Sequence, residues 1–312
     1  MSSQRVAVEI DGRRLSLSNL DKVLYPEVGF TKAEVIDYYT RIAPVMLPHL
    51  TRRPVTRKRY PNGVDGAFFF EKNAPSHTPR WVHTVTLPVP GSTMGREEIT
   101  YVVGDDRATL VWLANLAALE LHVPQWQVKP RGAAAPPDLL VFDLDPGPPA
   151  TVVACAQVAL MLSELLAEDK LTGFPKTSGA KGMQVYVPIK PTSDERTSGY
   201  AKQLAELLER RHRELVVARM DKRLRHGKVF VDWSQNNAAK TTVTPYSLRA
   251  QAAPTVSTPL TWAEVEACDD PTDVRFLAGD VLERVDQVGD LFAELRADKR
   301  ASLPTTPRAS KE

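Results

Sequence analysis

Alternating apolar and polar positions mark the first element of the chain. They run over residues 6–10 and 14–17, on either side of the dipeptide Asp11-Gly12. Asp-Gly favours the type I′ turn, whose twist suits two antiparallel strands. We therefore expect the chain to open with a β-hairpin.

Helical spacing follows the hairpin. Thr31 and Glu34 have the spacing of a capping box, and apolar side chains recur behind them three and four residues apart. The same periodicity predicts further helices over residues 107–121, 151–166 and 198–212. Short apolar runs bounded by Pro, Gly and polar residues predict the strands between them. The strand regions are residues 81–103, interrupted by a Pro/Gly-rich loop at 88–96, and residues 123–126, 138–145, 184–187, 229–232 and 241–249.

Composition allows one large domain or two intimate ones. The chain has 312 residues, of which 43% are hydrophobic and 25% charged, and its net charge of +2 offers no global polycation for nucleic acid. No run of about 18 apolar residues predicts a membrane span, and the N-terminus lacks a signal core. Cys155 and Cys268 are far apart in sequence, which argues against a disulfide framework or a cysteine zinc site. We expect a cytoplasmic protein.

An acidic strand is the strongest chemical signal. Asp143 and Asp145 share one face of a strand by alternation, while Phe142 and Leu144 point into a core. Two close carboxylates repel unless a cation lies between them, and oxygen ligands suit Mg²⁺ or Mn²⁺. Asp232 closes a second short apolar strand. The alternative is a solvated strand end before a Pro/Gly turn.

Basic and aromatic residues interleave over residues 52–72. Cations can neutralise phosphates and rings can stack on bases, as in a nucleic-acid groove. The alternative is a solvated basic edge strand beside a buried aromatic strand. Three consecutive phenylalanines, at 68–70, cannot all face one side of a strand, so at least one is expected in the core.

Two stretches could bind anions. Asn19, Lys22 and Lys32 lie at the start of the first helix, where backbone N–H groups favour phosphate. Ser178 and Lys181 lie in a Gly-rich turn that could cradle a phosphate, although its spacing is not that of a Walker A motif. Chemistry alone leaves His122 unassigned. Three strand-borne carboxylates together with several cations are what nucleotidyl transfer requires.

Eight motifs in order resemble the polymerase domain of bacterial DNA ligase D, a member of the archaeo-eukaryotic primase superfamily. They are Asn19-x2-Lys22 with Lys32, Arg57-Lys-Arg-x-Pro-Asn-Gly63, Phe69-Phe-Glu-Lys72, His122-Val-Pro-Gln-Trp126, Phe142-Asp-Leu-Asp-Pro146, Ser178-Gly-x-Lys-Gly182, Val231-Asp-Trp-Ser-Gln-Asn236 and Pro245-Tyr-Ser-Leu-Arg249. The resemblance implies an α/β (α+β) primase-polymerase fold with mixed, mostly antiparallel central sheets flanked by helices. It places one catalytic domain over residues 1–300, with modules of about 1–130 and 131–300, before a polar tail at 301–312 that we expect to be disordered.

The resemblance also implies the activity and the site. The enzyme would be a DNA-directed nucleotidyltransferase, a polymerase or primase, with two Mn²⁺ or Mg²⁺ ions held by Asp143, Asp145 and Asp232. The incoming NTP or dNTP would meet Lys58, His122, Ser178, Lys181, Arg225 and Arg249, with His122 favouring a ribose hydroxyl and hence ribonucleotides. Gapped or broken DNA would be bound through its 5′-phosphate by Asn19, Lys22 and Lys32, and its template would stack on Phe69 or Phe70.

Two departures from the family pattern refine this expectation. No ligase or nuclease segment accompanies the polymerase, so the chain resembles the stand-alone actinobacterial members. We therefore expect a bacterial, nucleoid-associated monomer that acts with a separate DNA ligase and repair factors. The loop from Pro88 to Arg96 is longer and richer in Pro and Gly than the family pattern. This favours the filling of short gaps over the joining of broken ends.

Two other functions compete with this interpretation. Val-Phe-Asp-Leu-Asp is similar to the nucleophile strand of haloacid-dehalogenase-type phosphohydrolases, with Asp143 as the nucleophile, although Gly147 stands where that family has Thr. The basic aromatic stretch could instead belong to a non-catalytic DNA-end binder.

Overall fold

Two sheets and the helices that cover them carry the fold. The computed structural model describes residues 5–89, 95, 97–298 and 300–310. The strands are β1 (Arg5–Ile10), β2 (Arg13–Ser18), β3 (Val23–Tyr25), β4 (Phe30–Thr31), β5 (Pro54–Arg59), β6 (Phe69–Glu71), β7 (Thr84–Pro88), β8 (Glu98–Val103), β9 (Ala118–Val123), β10 (Leu139–Pro146), β11 (Phe174–Thr177), β12 (Met183–Pro188), β13 (Val216–Val217), β14 (Val229–Asp232) and β15 (Thr242–Val243). The helices are α1 (Lys32–Leu50), α2 (Arg107–Asn115), α3 (Val152–Glu168), α4 (Asp194–Arg211), α5 (Trp262–Glu266) and α6 (Ala278–Val288).

The first sheet follows the order β15-β9-β5-β8-β7, and β6 adds to β5 outside this path. All of its strand pairs are antiparallel. Its inner face packs on α1, which buries Val35 and Tyr39. The Tyr39 hydroxyl donates to the carbonyl of Leu119 on β9 over 2.6 Å, which ties the helix to the sheet.

The second sheet follows the order β11-β12-β10-β14-β13, with one parallel pair between β13 and β14. Leu140, Phe142 and Leu144 of β10 are fully buried in a core shared with α3. The alternation that buries these residues leaves Asp143 and Asp145 on the opposite face, as predicted.

Local signals in the sequence located several elements correctly. β1 and β2 pair antiparallel, and Asp11 and Gly12 both have positive φ, as a type I′ turn requires. Thr31 and Glu34 form the predicted capping box of α1. Thr151 caps α3 by accepting a hydrogen bond from the backbone of Val153.

Element boundaries were less well predicted. The helix expected over 107–121 ends at Asn115, because Ala117 adopts a left-handed backbone conformation (φ 56°) before β9 begins. The strand expected over 123–126 is instead this β9, which stops before Pro124. Only Thr242–Val243 of the strand expected over 241–249 forms, and α4 begins at Asp194 rather than at 198.

The basic aromatic stretch differs from the alternative of a solvated basic edge strand beside a buried aromatic strand. All three phenylalanines are exposed, by 50% for Phe68, 53% for Phe69 and 61% for Phe70, so the prediction of a core phenylalanine was wrong. Among the described strands, the short strand β6 pairs with β5 alone and leaves both of its faces open. The basic strand β5 lies within the sheet rather than at its edge, and Arg57 on it is fully buried against Glu71.

The segment after Arg300 is packed, in contrast to the disordered tail predicted from its polarity. Within the described residues Leu303 and Ala309 are buried, and their carbonyls accept hydrogen bonds from Arg196 and Arg211 of α4. A few apolar residues and side-chain anchors therefore fix a segment whose composition is polar.

Asp138 links three parts of the chain. Its carboxylate lies 2.7 Å from the guanidinium of Arg53, just before β5, and 3.0 Å from that of Arg300. All three side chains are largely buried. This cluster joins the first sheet, the start of β10 and the C-terminal segment.

The loop predicted over residues 88–96 falls partly outside the described residues, because 90–94 and 96 are not among them. Both cysteines are buried and unpaired, as expected. Among the described helices, none combines the length and apolar character needed to span a membrane.

We predict that Asp138→Ala lowers the free energy of unfolding by about 3 kcal/mol, because it leaves two buried guanidinium groups without their shared carboxylate. Urea denaturation measures the change. Asp37→Ala, which removes an exposed carboxylate paired with Arg41 on α1, is the matched control and should leave stability nearly unchanged. Equal stability of the two variants would contradict a stabilising role for the cluster around Asp138.

Candidate active site

Antiparallel pairing of β10 and β14 gathers three carboxylates. Asp143 lies directly opposite Asp232 in the register, and Asp145 lies two residues further along the same face of β10. The sequence placed these three aspartates on two strands, and the structure makes those strands neighbours.

The electrostatics of this cluster reflect crowding of like charge. Burial and the charge of Asp145 raise the pKa of Asp143 to about 7, against a hydrogen bond from Gln184. Burial also raises the pKa of Asp145. The charge of Lys181 opposes this rise, and the charge of Asp232 adds to it. The cluster thus carries more negative charge than its protein neighbours balance.

Each end of the cluster has its own hydrogen bonds. The Gln184 amide donates to Asp143 over 3.0 Å. Asp232 accepts from the backbone and hydroxyl of Ser234, over 2.9 and 2.5 Å, and from the amide of Gln235 over 2.9 Å. Within the described part of the chain, no three His, Cys, Asp or Glu side chains are gathered as a finished metal-ligand set.

The donor set nevertheless fits a hard divalent cation. All three candidate ligands are carboxylates, the type of ligand that Mg²⁺ and Mn²⁺ prefer. A bound cation would offset the repulsion that raises the pKa values of Asp143 and Asp145. Asp143, Asp145 and Asp232 are therefore the residues that could hold such a cation.

Cations surround Asp145. The charges of Lys181, Arg225 and Arg249 all oppose the rise of its pKa, so all three act on one carboxylate. Arg225 stacks its guanidinium 3.7 Å above the ring of Phe230, the residue opposite Asp145 in the register. The structure thus brings three of the predicted nucleotide-binding residues to the acidic cluster.

Ser178 shapes its own loop. Its hydroxyl accepts hydrogen bonds from the backbones of Ala180 and Gly182, over 3.2 and 3.1 Å, and its carbonyl accepts from Arg249. A Cβ at Gly182 would lie 2.3 Å from the carbonyl oxygen of Leu144, so only glycine lets the loop approach β10 this closely. Ser178 therefore supports the position of Lys181 and Arg249.

Glu120 is a site residue that sequence reasoning missed. Lys58, His122 and Arg249 all converge on its buried carboxylate. Burial alone would raise the pKa of Glu120, but the hydrogen bond from His122 and the charges of Arg249 and Lys58 outweigh it and hold that pKa below its ordinary value. Alternation within residues 118–123 puts Glu120 and His122 on one face, but the helical spacing over residues 107–121 masks this signal in the sequence.

His122 itself is largely buried within this group. Burial lowers the pKa of His122, against the hydrogen bond and charge of Glu120, so the neutral imidazole is favoured near pH 7. The ring of Phe70 lies 6.0 Å from that of His122, and Lys58 lies 5.6 Å from the Phe70 ring. Phe69 pairs with Arg59 in the register and faces the other side of the sheet.

The predicted phosphate-binding residues are also brought together. The backbone N–H of Lys22 donates to the carbonyl of Asn19, and that of Lys32 donates to the carbonyl of Lys22. The Lys22 ammonium donates to the side chain of Asn62 over 3.1 Å. Burial, with the charges of Lys22 and Arg59, lowers the pKa of Lys32 to about 8. Asn62 and Arg59 are therefore additional members of this cluster.

A cleft of about 1470 Å³ lies beside the first sheet. Its walls include Phe70 and Thr56 of the first sheet, Trp126, and residues 237–239, which follow Asp232 in the chain. The cleft therefore lies between the sheet that carries the cations and the segment that follows the acidic cluster.

Glycine at position 147 also bears on the phosphohydrolase alternative. A Cβ there would lie 1.8 Å from the carbonyl oxygen of Arg225, so this backbone has no room for the Thr that a haloacid dehalogenase would carry. The neighbours of β10 on both sides are antiparallel.

Comparisons with known proteins agree with this geometry. The family model described as LigD, primase-polymerase domain, matches residues 31–292. The multifunctional non-homologous end joining protein LigD of Mycolicibacterium smegmatis is 47% identical over 287 residues, which cover 91% of this chain and 36% of that protein. The bifunctional LigD of Bacillus subtilis is 34% identical over 281 residues, which cover 89% and 44%. The chain thus spans less than half the length of these curated relatives.

A solved structure shows the same fold. The polymerase domain from Mycobacterium tuberculosis ligase D in complex with DNA superimposes with a TM-score of 0.85 and 45% identity, covering 91% of this chain and 99% of that domain. These findings confirm the expected resemblance and fold class, and they contradict both the phosphohydrolase and the non-catalytic alternative. The chain belongs to the LigD primase-polymerase family, and it is a DNA-directed nucleotidyltransferase.

Proposed function

We propose that this protein fills short gaps in DNA that carry a 5′-phosphate, by template-directed nucleotidyl transfer with a preference for ribonucleotides. The observation that carries the proposal is the row of Asp143, Asp145 and Asp232 on adjacent strands, with Lys181, Arg225 and Arg249 acting on Asp145. A negatively charged triphosphate and a cation-binding cluster would thereby meet at one place.

The three aspartates would hold two divalent cations, Mn²⁺ or Mg²⁺. Such ions supply activation of the primer 3′-hydroxyl and neutralisation of the leaving pyrophosphate. The protein's own part is positional. Gln184 orients Asp143, and Ser234 and Gln235 orient Asp232, through the hydrogen bonds described above.

The nucleotide would lie between the two sheets. Lys181, Arg225 and Arg249 would neutralise its phosphates, and Lys58 would add a cation from the first sheet. His122 would meet the ribose hydroxyl, and Phe70, which lies against His122, would stack on a base. Ser178 supports this group through its loop, as its hydrogen bonds suggest.

The DNA end would bind at the opposite face of β6. Lys22, Lys32 and Asn19 are close to one another, and Arg59 adds a charge to them. Phe69, which pairs with Arg59, is exposed there and would stack on the template. The DNA complex of the related polymerase domain supports a DNA-bound function.

The pathway is part of the proposal. The relatives are named as end joining proteins, and we propose that this chain serves DNA break or gap repair with a DNA ligase that seals its product. Gap filling requires only one DNA molecule, and the 5′-phosphate cluster would suffice to recognise it.

We expect Asp145→Ala to lower primer extension on a gapped substrate by about 1,000-fold, because a metal ligand contributes several kcal/mol and each 1.36 kcal/mol is tenfold in rate. Gap binding should persist, since removal of a negative charge does not weaken an anion site. Extension assays and fluorescence anisotropy measure the two effects. Asp37→Ala is the control with an exposed carboxylate. Wild-type rates from Asp145→Ala would refute the metal assignment.

We expect a pH-dependent preference for 5′-phosphate. Lys32 is charged below its pKa of about 8 and neutral above it, so the affinity ratio of 5′-phosphate to 5′-hydroxyl gaps should fall between pH 7 and pH 9.5. Lys32→Arg should keep the ratio across this range, because arginine stays protonated.

The double variant Lys22→Ala/Lys32→Ala should remove the preference at pH 7 without changing affinity for 5′-hydroxyl gaps. Equal losses on both substrates would reject this pocket.

Two neighbouring phenylalanines provide a matched pair. Phe70→Ala should raise the KM for the nucleotide by about tenfold, which is at the lower end of a base-stacking contribution. Phe69→Ala should instead weaken gap binding and leave that KM nearly unchanged, because the two rings face opposite sides of β6. Steady-state extension and anisotropy separate the effects, and identical behaviour of the two variants would contradict the division.

A further inference from the structure

We propose that Glu120 is a positioning residue that sets the orientation of Lys58, His122 and Arg249 toward the nucleotide, and that through His122 it sets the preference for ribonucleotides. The inference rests on the proposed function, since these three side chains are its nucleotide-binding group. Glu120 belongs to none of the motifs that carry the family resemblance.

Three hydrogen-bonding groups and one further ion-pair partner converge on the two oxygens of Glu120. Oε1 lies 3.4 Å from the Lys58 ammonium and accepts from the backbone N–H of Ala250 over 3.2 Å. Oε2 lies 3.0 Å from Nε2 of His122 and 3.2 Å from Nε of Arg249. One carboxylate therefore connects β5, β9 and the chain that follows β15.

The side chain of Glu120 is much less exposed than those of its three partners. Its side chain is 1% exposed, whereas those of Lys58, His122 and Arg249 are 18%, 13% and 16% exposed. A substrate can reach the three partners but not the carboxylate behind them. Glu120 therefore acts through its neighbours rather than on the reacting atoms.

Charge explains why a carboxylate is needed at this position. Lys58 and Arg249 are both cations, and without Glu120 they would repel each other inside the protein. One negative charge between them holds both in place and still leaves a net positive surface. That surface suits a triphosphate.

Glu120 also fixes the tautomer of His122. An ionised carboxylate only accepts hydrogen bonds, so the His122 nitrogen that faces it, Nε2, must carry the proton. In the neutral imidazole Nδ1 is then an acceptor. A ribose 2′-hydroxyl can donate to that acceptor, whereas a deoxyribonucleotide has no hydroxyl to offer.

The experiment compares Glu120→Gln with Glu120→Asp and with Glu264→Gln. Gln keeps the shape but replaces one acceptor oxygen with an NH₂ donor, which opposes the donors of Lys58, His122 or Arg249. Asp keeps the charge on a shorter side chain. Glu264 binds Arg284 over 2.6 Å on α5, which packs on α3, so its substitution removes a carboxylate–arginine pair that does not involve the nucleotide group.

For Glu120→Gln we expect the KM for a ribonucleotide on a 5′-phosphorylated gap to rise about tenfold, with a smaller change in kcat. The ratio of kcat/KM for ribonucleotide to deoxyribonucleotide should fall toward one. Glu120→Asp should recover part of both values, and Glu264→Gln should match wild type in both. Gap affinity should stay the same in all three variants.

The outcomes are distinguishable. A wild-type protein that extends no primer would refute the proposed function itself. An active wild type with an unchanged KM and sugar ratio in Glu120→Gln would overturn the role of Glu120. Equal loss of gap affinity and nucleotide affinity would show that Glu120 only supports the fold, and would also overturn it. If Glu120→Gln does not fold, Glu120→Asp decides, with an unchanged sugar ratio counting against the proposal.

Discussion

Repulsion between partly buried carboxylates is the constraint around which the second sheet is arranged. Asp143 and Asp232 occupy directly opposed positions on antiparallel strands, where side chains on one face approach closely. Asp145 adds a third negative charge on the same face. A sheet would avoid such a row for stability alone, since like charges directly opposite each other are destabilising. Phe142 and Leu144, the buried hydrophobic residues that alternate with Asp143 and Asp145, anchor the strand strongly enough to hold the row in place.

The row of facing side chains continues across the sheet, but the chemical type of its side chains changes. The register aligns Lys176 with Gln184, and Gln184 with Asp143. Lys176 is fully buried, and burial together with the charge of Arg249 holds its pKa well below the ordinary value, against the attraction of Asp143. The row thus passes from a buried amine through an amide to the carboxylates. Gln184 lies between them and connects to Asp143 by a hydrogen bond of 3.0 Å.

Arg249 interacts with polar and charged groups of both sheets. It lies 3.2 Å from Glu120 on the first sheet, donates to the Ser178 carbonyl beside the second, and opposes the raised pKa of Asp145. The first sheet therefore presents cations organised by one carboxylate, and the second presents carboxylates flanked by cations. A ligand with several negative charges and bound metal ions complements both.

Short-range signals predicted the parts of this site that depend on one element. Alternation assigned Asp143 and Asp145 to one face because apolar residues separate them, and the capping box located α1. Sequence reasoning missed Glu120 because the apolar residues around it, at 118, 119 and 121, fit both helical and strand spacing. The left-handed backbone at Ala117, which ends the helix, has no sequence signal. The exposure of Phe68–Phe70 depends on β6 having a single partner strand, which local sequence does not reveal.

The position of β10 depends on contacts at both of its ends. Before the strand, Asp138 is held by Arg53 and Arg300. Near its middle, the side-chain amide of Asn236 bonds to both the N–H and the carbonyl of Val141, over 2.8 Å each, and so continues the pairing where β14 stops. A slip of one residue would turn both acids to the core face of the sheet. The C-terminal segment, which supplies Arg300, therefore takes part in keeping Asp143 and Asp145 on the face opposite the hydrophobic core.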